Sequence, residues 1–206
     1  MVFTPMTLPG YLARHPKTHL IFDFDETLFW LVLDWDRFFE AMEKELAPLD
    51  RTLYDDLAAQ KRSLTGTLNA YVETYGIKAK QIITNMSVRF EEAHLQDVIP
   101  NPALVDFVSA HRDKYRMSIW TSNTSRIVEK VLEEHKLSGV FSRVASQLEV
   151  MMLKPYGDGF RYLAQSGVPK NRYLMIGNSK ADAEAAKAVG IDYFHVDYFT
   201  KKTQAD

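Results

Sequence analysis

Leu20-Ile21-Phe22-Asp23-Phe24-Asp25-Glu26-Thr27 is the stretch on which the fold turns: a short, wholly apolar run ends in a carboxylate, and a second carboxylate follows two positions on. An unbroken apolar run of this length fits a central strand covered on both faces better than an alternating surface strand. The same form recurs twice, with Met117 to Trp120 leading into Thr121-Ser122-Asn123 and Tyr173 to Ile176 leading into Gly177-Asn178-Ser179 and Asp182. Val140 to Val144 and Tyr193 to Val196 read as further strands. Helical spacing lies between them. Ile127, Val128, Val131, Leu132 and His135 mark one helix, N-capped by Thr124 or Ser125; Phe160, Leu163 and Ala164 mark another; and Asp182 to Val189 is an alanine-rich helix closed by Gly190. Alternating strand and helix predicts an α/β fold, a doubly wound parallel sheet, whose ligands bind at the carboxyl edge of the strands.

The stretch from about Trp30 to Asp97 breaks that alternation. Trp35, Phe38, Phe39, Met42 and Leu46 share one helical stripe; Leu53, Leu57 and residues 68–75 suggest two more helices; Ile82, Ile83, Met86 and Phe90 define a fourth. No strand is expected there. The economical division is a core of residues 1–30 and 98–206 with a small helical bundle, 31–97, inserted after the first strand.

Composition removes several classes of function. The 25 Lys and Arg against 27 Asp and Glu give a net charge of −2 without the long basic runs that announce nucleic acid. The absence of cysteine excludes disulfides, thiolate metal sites and a cysteine nucleophile. The first 17 residues hold three prolines and no apolar segment of signal-peptide length, and the longest apolar run, Leu28 to Leu33, is far short of the ~20 residues that span a bilayer. A soluble, cytoplasmic protein without a membrane or nucleic-acid partner is expected; oligomeric state stays open.

The polar clusters suit phosphoryl chemistry. Asp23 and Asp25 can approach one point, one as a nucleophile that takes up a phosphoryl group and the other as the acid and base serving the leaving oxygen and the water. An anionic nucleophile near an anionic phosphate is repelled, by about 4 kcal/mol at ~4 Å and an effective dielectric of ~20. Lys154, followed by Pro155, and a divalent cation are the natural counterweights. Thr121, Ser122 and Asn123 offer hydroxyls and an amide for phosphate oxygens, with Thr121 favoured and Ser122 second. Asp23, the Asp25 carbonyl, Asn178 and Asp182 form a candidate set of oxygen ligands for Mg2+.

Together and in this order the clusters resemble the motifs of the haloacid dehalogenase superfamily: Asp23-x-Asp25-x-Thr27, Thr121 or Ser122, Lys154-Pro155, and Gly177-x-x-x-x-Asp182. The helical insert looks like the cap of subfamily I members such as phosphoglycolate phosphatase-like enzymes. The resemblance implies Asp23 as nucleophile and metal ligand, Asp25 as acid/base and carbonyl ligand, Lys154 as the charge partner of Asp23, and the fourth motif as magnesium anchor. It thus implies a magnesium-dependent phosphatase acting on a small phosphorylated metabolite, with a phosphomutase or a catalytically weak binding relative as the alternatives. Two positions depart from the pattern. Asn178 stands where the family usually carries Asp, with Asp182 expected to compensate, and Glu26 stands where Gly is frequent and reads as a solvated side chain. Trp30, Trp35, Arg51, Lys61, Arg62 and Arg89 are the candidate substrate contacts of the insert, with Trp35 assigned to its core.

Overall fold

The computed structural model describes residues 7–203; residues 1–6 and 204–206, at the two ends of the expected catalytic core, lie outside the described residues. In chain order the elements are α1 (Leu8–Arg14), β1 (His19–Phe22), β2 (Phe29–Leu33), α2 (Trp35–Leu46), α3 (Arg51–Ala59), α4 (Leu64–Tyr75), α5 (Ile77–His94), β3 (Leu95–Pro100), α6 (Pro102–His111), β4 (Arg116–Trp120), α7 (Ser125–Glu134), β5 (Phe141–Ala145), α8 (Asp158–Leu163), β6 (Tyr173–Gly177), α9 (Lys180–Val189), β7 (Asp192–His195) and α10 (Tyr198–Thr203).

Five strands form one parallel sheet in the order β5-β4-β1-β6-β7. The chain runs outward from β1 to β4 and β5, then returns to the other side of β1 for β6 and β7, so the strand order reverses at β1. That reversal opens a crevice at the carboxyl edge. The wholly apolar runs are buried as expected: Leu20, Ile21 and Phe22 in β1, Ile119 and Trp120 in β4, and every residue of β6. Register carries the polar clusters to this edge, because Phe22 pairs with both Ile119 and Ile176, and Asp23, Thr121 and Gly177 lie at or just past those positions. The ladder extends one step further through Asp23 N–H to the Ile176 carbonyl (2.8 Å) and Thr121 N–H to the Ala145 carbonyl (3.0 Å).

The helices expected between residues 35 and 90 are present as α2 to α5. The expectation of no strand in this region is corrected. Antiparallel β2 and β3 form a two-stranded sheet, Phe29 opposite Pro100 and Leu33 opposite Leu95, at the two ends of the helical stretch. The pairing partner lies more than sixty positions away and β3, Leu-Gln-Asp-Val-Ile-Pro, lacks the alternation that marks a half-buried strand, so local pattern misses it. The stripe on α2 is also narrower than its sequence suggests: Phe38, Met42 and Leu46 are buried, whereas Phe39 is 46% and Trp35 38% exposed.

Candidate active site

The turn after β1 is wound around one carbonyl. Phe24 O accepts from the N–H groups of Thr27, Leu28 and Phe29 at 3.0–3.3 Å. This sharp reversal requires Glu26 to adopt a left-handed backbone (φ 56°), strained for a residue with a Cβ. Asp23, 6% exposed, is left at the mouth of the strand, and Asp25 turns its Oδ1 toward β2, accepting from the Leu31 N–H at 2.8 Å.

Lys154 is the electrostatic centre. Its ammonium is buried and donates to Asp23 Oδ1 (2.6 Å) and Asp182 Oδ1 (2.5 Å). Burial works against its charge, but Asp182 and Asp23 outweigh burial and hold its pKa above the ordinary lysine value. Burial pushes the Asp23 carboxyl up, the Asp182 carboxylate pushes the same way, and Lys154 pulls it back. Burial raises Asp25 to about 8, which keeps it protonated at neutral pH. Neighbouring carboxyls are thus set for opposite tasks, one beside a fixed cation and one holding a proton.

Asp182 departs from its expected place. It is wholly buried, its Oδ1 engaged by Lys154 and its Oδ2 by the N–H and hydroxyl of Ser179 (3.0 and 2.7 Å), the reciprocal capping box of α9. It is absent from the cavity wall. Both its oxygens are engaged in holding Lys154 and starting a helix, and neither is turned to the cavity where Asn178 lies. Gly177 is glycine for the same reason: a Cβ there would lie 2.5 Å from the Asp182 carboxylate.

Asn178 instead joins Glu26 and Thr27. Its Nδ2 donates to Glu26 Oε2 (3.0 Å), and its Oδ1 lies 3.4 Å from the buried Thr27 hydroxyl, which is itself 3.2 Å from Asp23 Oδ2. Glu26 is exposed, as expected of a solvated side chain, and it also sets a carboxylate on the Asn178 amide.

A cavity of about 710 Å³ opens over these groups, lined by Asp23, Asp25, Glu26, Thr121, Ser122, Asn123, Lys154 and Asn178 from the sheet edge. The edge thus brings together all the predicted site residues except Asp182, which stands behind Lys154, and Thr27, which is buried beneath Asp23. Thr121 is 2% exposed and its hydroxyl donates to Asn123 Oδ1 (2.9 Å) while accepting from Asn123 N–H (3.1 Å). Asn123 in turn donates to Glu91 (3.1 Å), so among the three, Ser122 has the least engaged side chain.

Glu91 was not foreseen. It is a buried carboxylate on α5 that accepts from Asn123 Nδ2 and from the N–H and hydroxyl of Thr124, taking over the N-terminus of α7 in place of the expected self-capping by Thr124 or Ser125. Burial raises its pKa to about 7. The signal was present, since Glu91 follows Ile83 and Ser87 at helical spacing and so belongs to the apolar face of α5. Of the candidate contacts in the insert, Trp35 and Arg62 line the cavity, against the assignment of Trp35 to the core. Arg51 pairs with Glu43 and Asp55 and Arg89 with Glu45 on the surface; Lys61 is exposed, and Trp30 packs toward Phe199.

A family model described as Haloacid dehalogenase-like hydrolase matches residues 20–196. A phosphoglycolate phosphatase of Aliivibrio fischeri is 32% identical over 89 residues, 43% of this chain and 39% of that protein. The chain spans about half or less of the length of the curated relatives it matches. Among solved structures, CbbY from Rhodobacter sphaeroides in complex with phosphate aligns with a TM-score of 0.53 at 19% identity, covering 86% of this chain and 84% of that one. A Bacillus subtilis HAD-hydrolase, YfnB, bound to magnesium, aligns with a TM-score of 0.53 at 19% identity, covering 88% and 87%. These two likenesses concern the fold. Among the described residues no helix is long and apolar enough to cross a membrane.

Proposed function

Because the chain belongs to the haloacid dehalogenase-like hydrolase family, we propose that it is a magnesium-dependent phosphatase that hydrolyses a small phosphate monoester through a phosphoryl group carried on Asp23. The observation that carries this reading is the buried Lys154 ammonium between Asp23 and Asp182, at the floor of a cavity that also holds a protonated Asp25 and the Thr121-Ser122 edge. The matched relatives described as phosphoglycolate phosphatases support a small, anionic substrate.

The donor set fits magnesium. That ion takes a few hard oxygens and keeps several waters. Among the described residues no group of three or more His, Cys, Asp or Glu side chains is arranged for a metal, so an all-protein cage is not available. Asp23 and Asn178 direct oxygens toward the same Thr27 hydroxyl, and Glu26 holds the Asn178 amide with its oxygen turned that way. Asp23, the Asp25 carbonyl and Asn178 would hold the ion, with Glu26 restoring the negative charge that an amide lacks. Bound there, magnesium supplies positive charge for the phosphate oxygens.

In the first half-reaction an Asp23 oxygen forms a bond to phosphorus as the ester P–O bond breaks, and Asp25 gives its proton to the departing oxygen. In the second, Asp25, now a carboxylate, takes a proton from water as the water oxygen bonds to phosphorus; the Asp23–phosphorus bond breaks, freeing inorganic phosphate. Lys154 offsets the charge of Asp23 throughout, and the Ser122 hydroxyl orients the phosphate. We assign residues 31–97 to a cap that covers the site and the remainder to the catalytic core, and place the protein in the cytoplasm. The test is release of phosphate from a panel of small monoesters with and without magnesium: magnesium-dependent release is expected, and no release from any member would contradict the proposal.

A further inference from the structure

Asn69 places both ends of its amide on a single backbone residue. It lies in the interior of α4, 3% exposed, donates from Nδ2 to the Leu153 carbonyl (3.1 Å) and accepts from the Leu153 N–H (2.9 Å). A buried amide is costly to desolvate unless it is bonded, and Leu68 and Val72 beside it show that this face of α4 otherwise packs apolar side chains. Two hydrogen bonds to one residue fix direction as well as distance, which apolar packing does not. Leu153 immediately precedes Lys154, whose ammonium must stay within 2.6 Å of Asp23 and 2.5 Å of Asp182 at once.

Two further buried tethers hold the helical insert against neighbouring loops. The Lys80 ammonium donates to the Gln147 carbonyl, and Glu91 binds Asn123 and Thr124. Each of the segments after β4, after β5 and before Lys154 is therefore gripped by a polar side chain of α4 or α5. Only the Asn69 clasp abuts the ionic centre.

We infer that Asn69 is a positioning residue: the seating of α4 on Leu153 sets the place of the Lys154 ammonium, so the reactivity of Asp23 depends on the insert being docked. This rests on the roles proposed above for Lys154 and Asp23. A misplacement of ~1 Å at reacting groups costs up to about 10²-fold in rate, so Asn69→Ala is expected to lower kcat by about ten- to a hundredfold. KM should stay within about threefold, since the residue has no part in binding substrate. In a Lys154→Ala background the same change should cost nothing more, because its effect passes through the lysine.

Amide hydrogen exchange supplies the readout that needs no turnover: protection of Leu153 should fall in Asn69→Ala while that of β1 and β6 is kept. If the alanine variant does not fold, Asn69→Leu, close in size and lacking both the acceptor and the donor, is measured in the same way. Unchanged Leu153 protection, or a full kcat loss persisting in the Lys154→Ala background, overturns the inference. A wild-type protein inactive on every monoester would break the functional reading instead, leaving exchange at Leu153 to judge the clasp.

Discussion

The sheet edge and the helices between β2 and β3 wall the same cavity in different ways. The edge contributes groups already committed to partners: Asp23 to Lys154, Thr121 to Asn123, Asn178 to Glu26. The insert contributes Trp35, Phe38, Leu68, the exposed Arg62 from the turn between α3 and α4, and the bonded Glu91 of α5. Trp35 opens α2, and Arg62 precedes the Ser63 cap of α4. Most of the fixed polar geometry therefore comes from strand ends, whose register is set by the buried ladder, with Lys154 added from the loop after β5, whereas the roof is built largely from helix ends and apolar side chains. On the proposed function, the edge would set the reaction type, and the roof residues of the insert the substrate's shape.

If that division holds, changes at the edge should remove chemistry, and the largest loss belongs to the nucleophile. Asp23→Asn is expected to lower kcat by roughly 10⁴-fold or more with the fold intact, as measured by phosphate release and circular dichroism. Lys154→Ala comes next. It strips two buried carboxylates of their shared cation and is expected to cost about 3–5 kcal/mol of stability, read by urea denaturation, besides most of the turnover.

The edge was the legible half of the molecule. A run such as Leu20-Ile21-Phe22 reads as a buried strand, and the residue that follows such a strand emerges at the sheet's end, so Asp23, Thr121 and Asn178 are locatable from local pattern. Lys154 is harder, because no strand precedes it; its order among the motifs placed it. What escaped were contacts made across long separations. Glu91 reaches Thr124 from 33 positions away and Asn69 reaches Leu153 from 84, and no local periodicity encodes such a pairing. Asp182, expected as a metal ligand, faces Lys154 and the start of α9, and sequence cannot say which way a carboxylate turns when a lysine lies on one side and a helix N-terminus on the other.

Glu91 joins the two regions, reaching from α5 to Asn123 and Thr124 at the edge. Its carboxyl is raised to about 7, so between the ordinary glutamate value and 7 the native state retains a proton that the unfolded chain has lost. Stability should consequently fall as pH rises through this window and level off above it, by up to about 3 kcal/mol. Glu91→Gln should flatten that part of the profile, as read by urea denaturation at a series of pH values; an unaltered slope would separate α5 from the edge energetically.

The smallest effects belong to the roof. Arg62→Ala and Trp35→Ala are expected to raise KM by less than about tenfold while leaving kcat nearly unchanged, because they remove binding that is equal in ground and transition states. A kcat loss as large as that of an edge variant would erase the distinction between the two regions.

On the proposed function a phosphoryl group resides on Asp23 during turnover. The direct measurement is mass spectrometry of the protein quenched while hydrolysing a monoester in magnesium, followed by peptide mapping. A single phosphoryl adduct on the peptide carrying Asp23, absent from Asp23→Asn, is the result predicted; an active enzyme with no adduct, or with one on another residue, would contradict it.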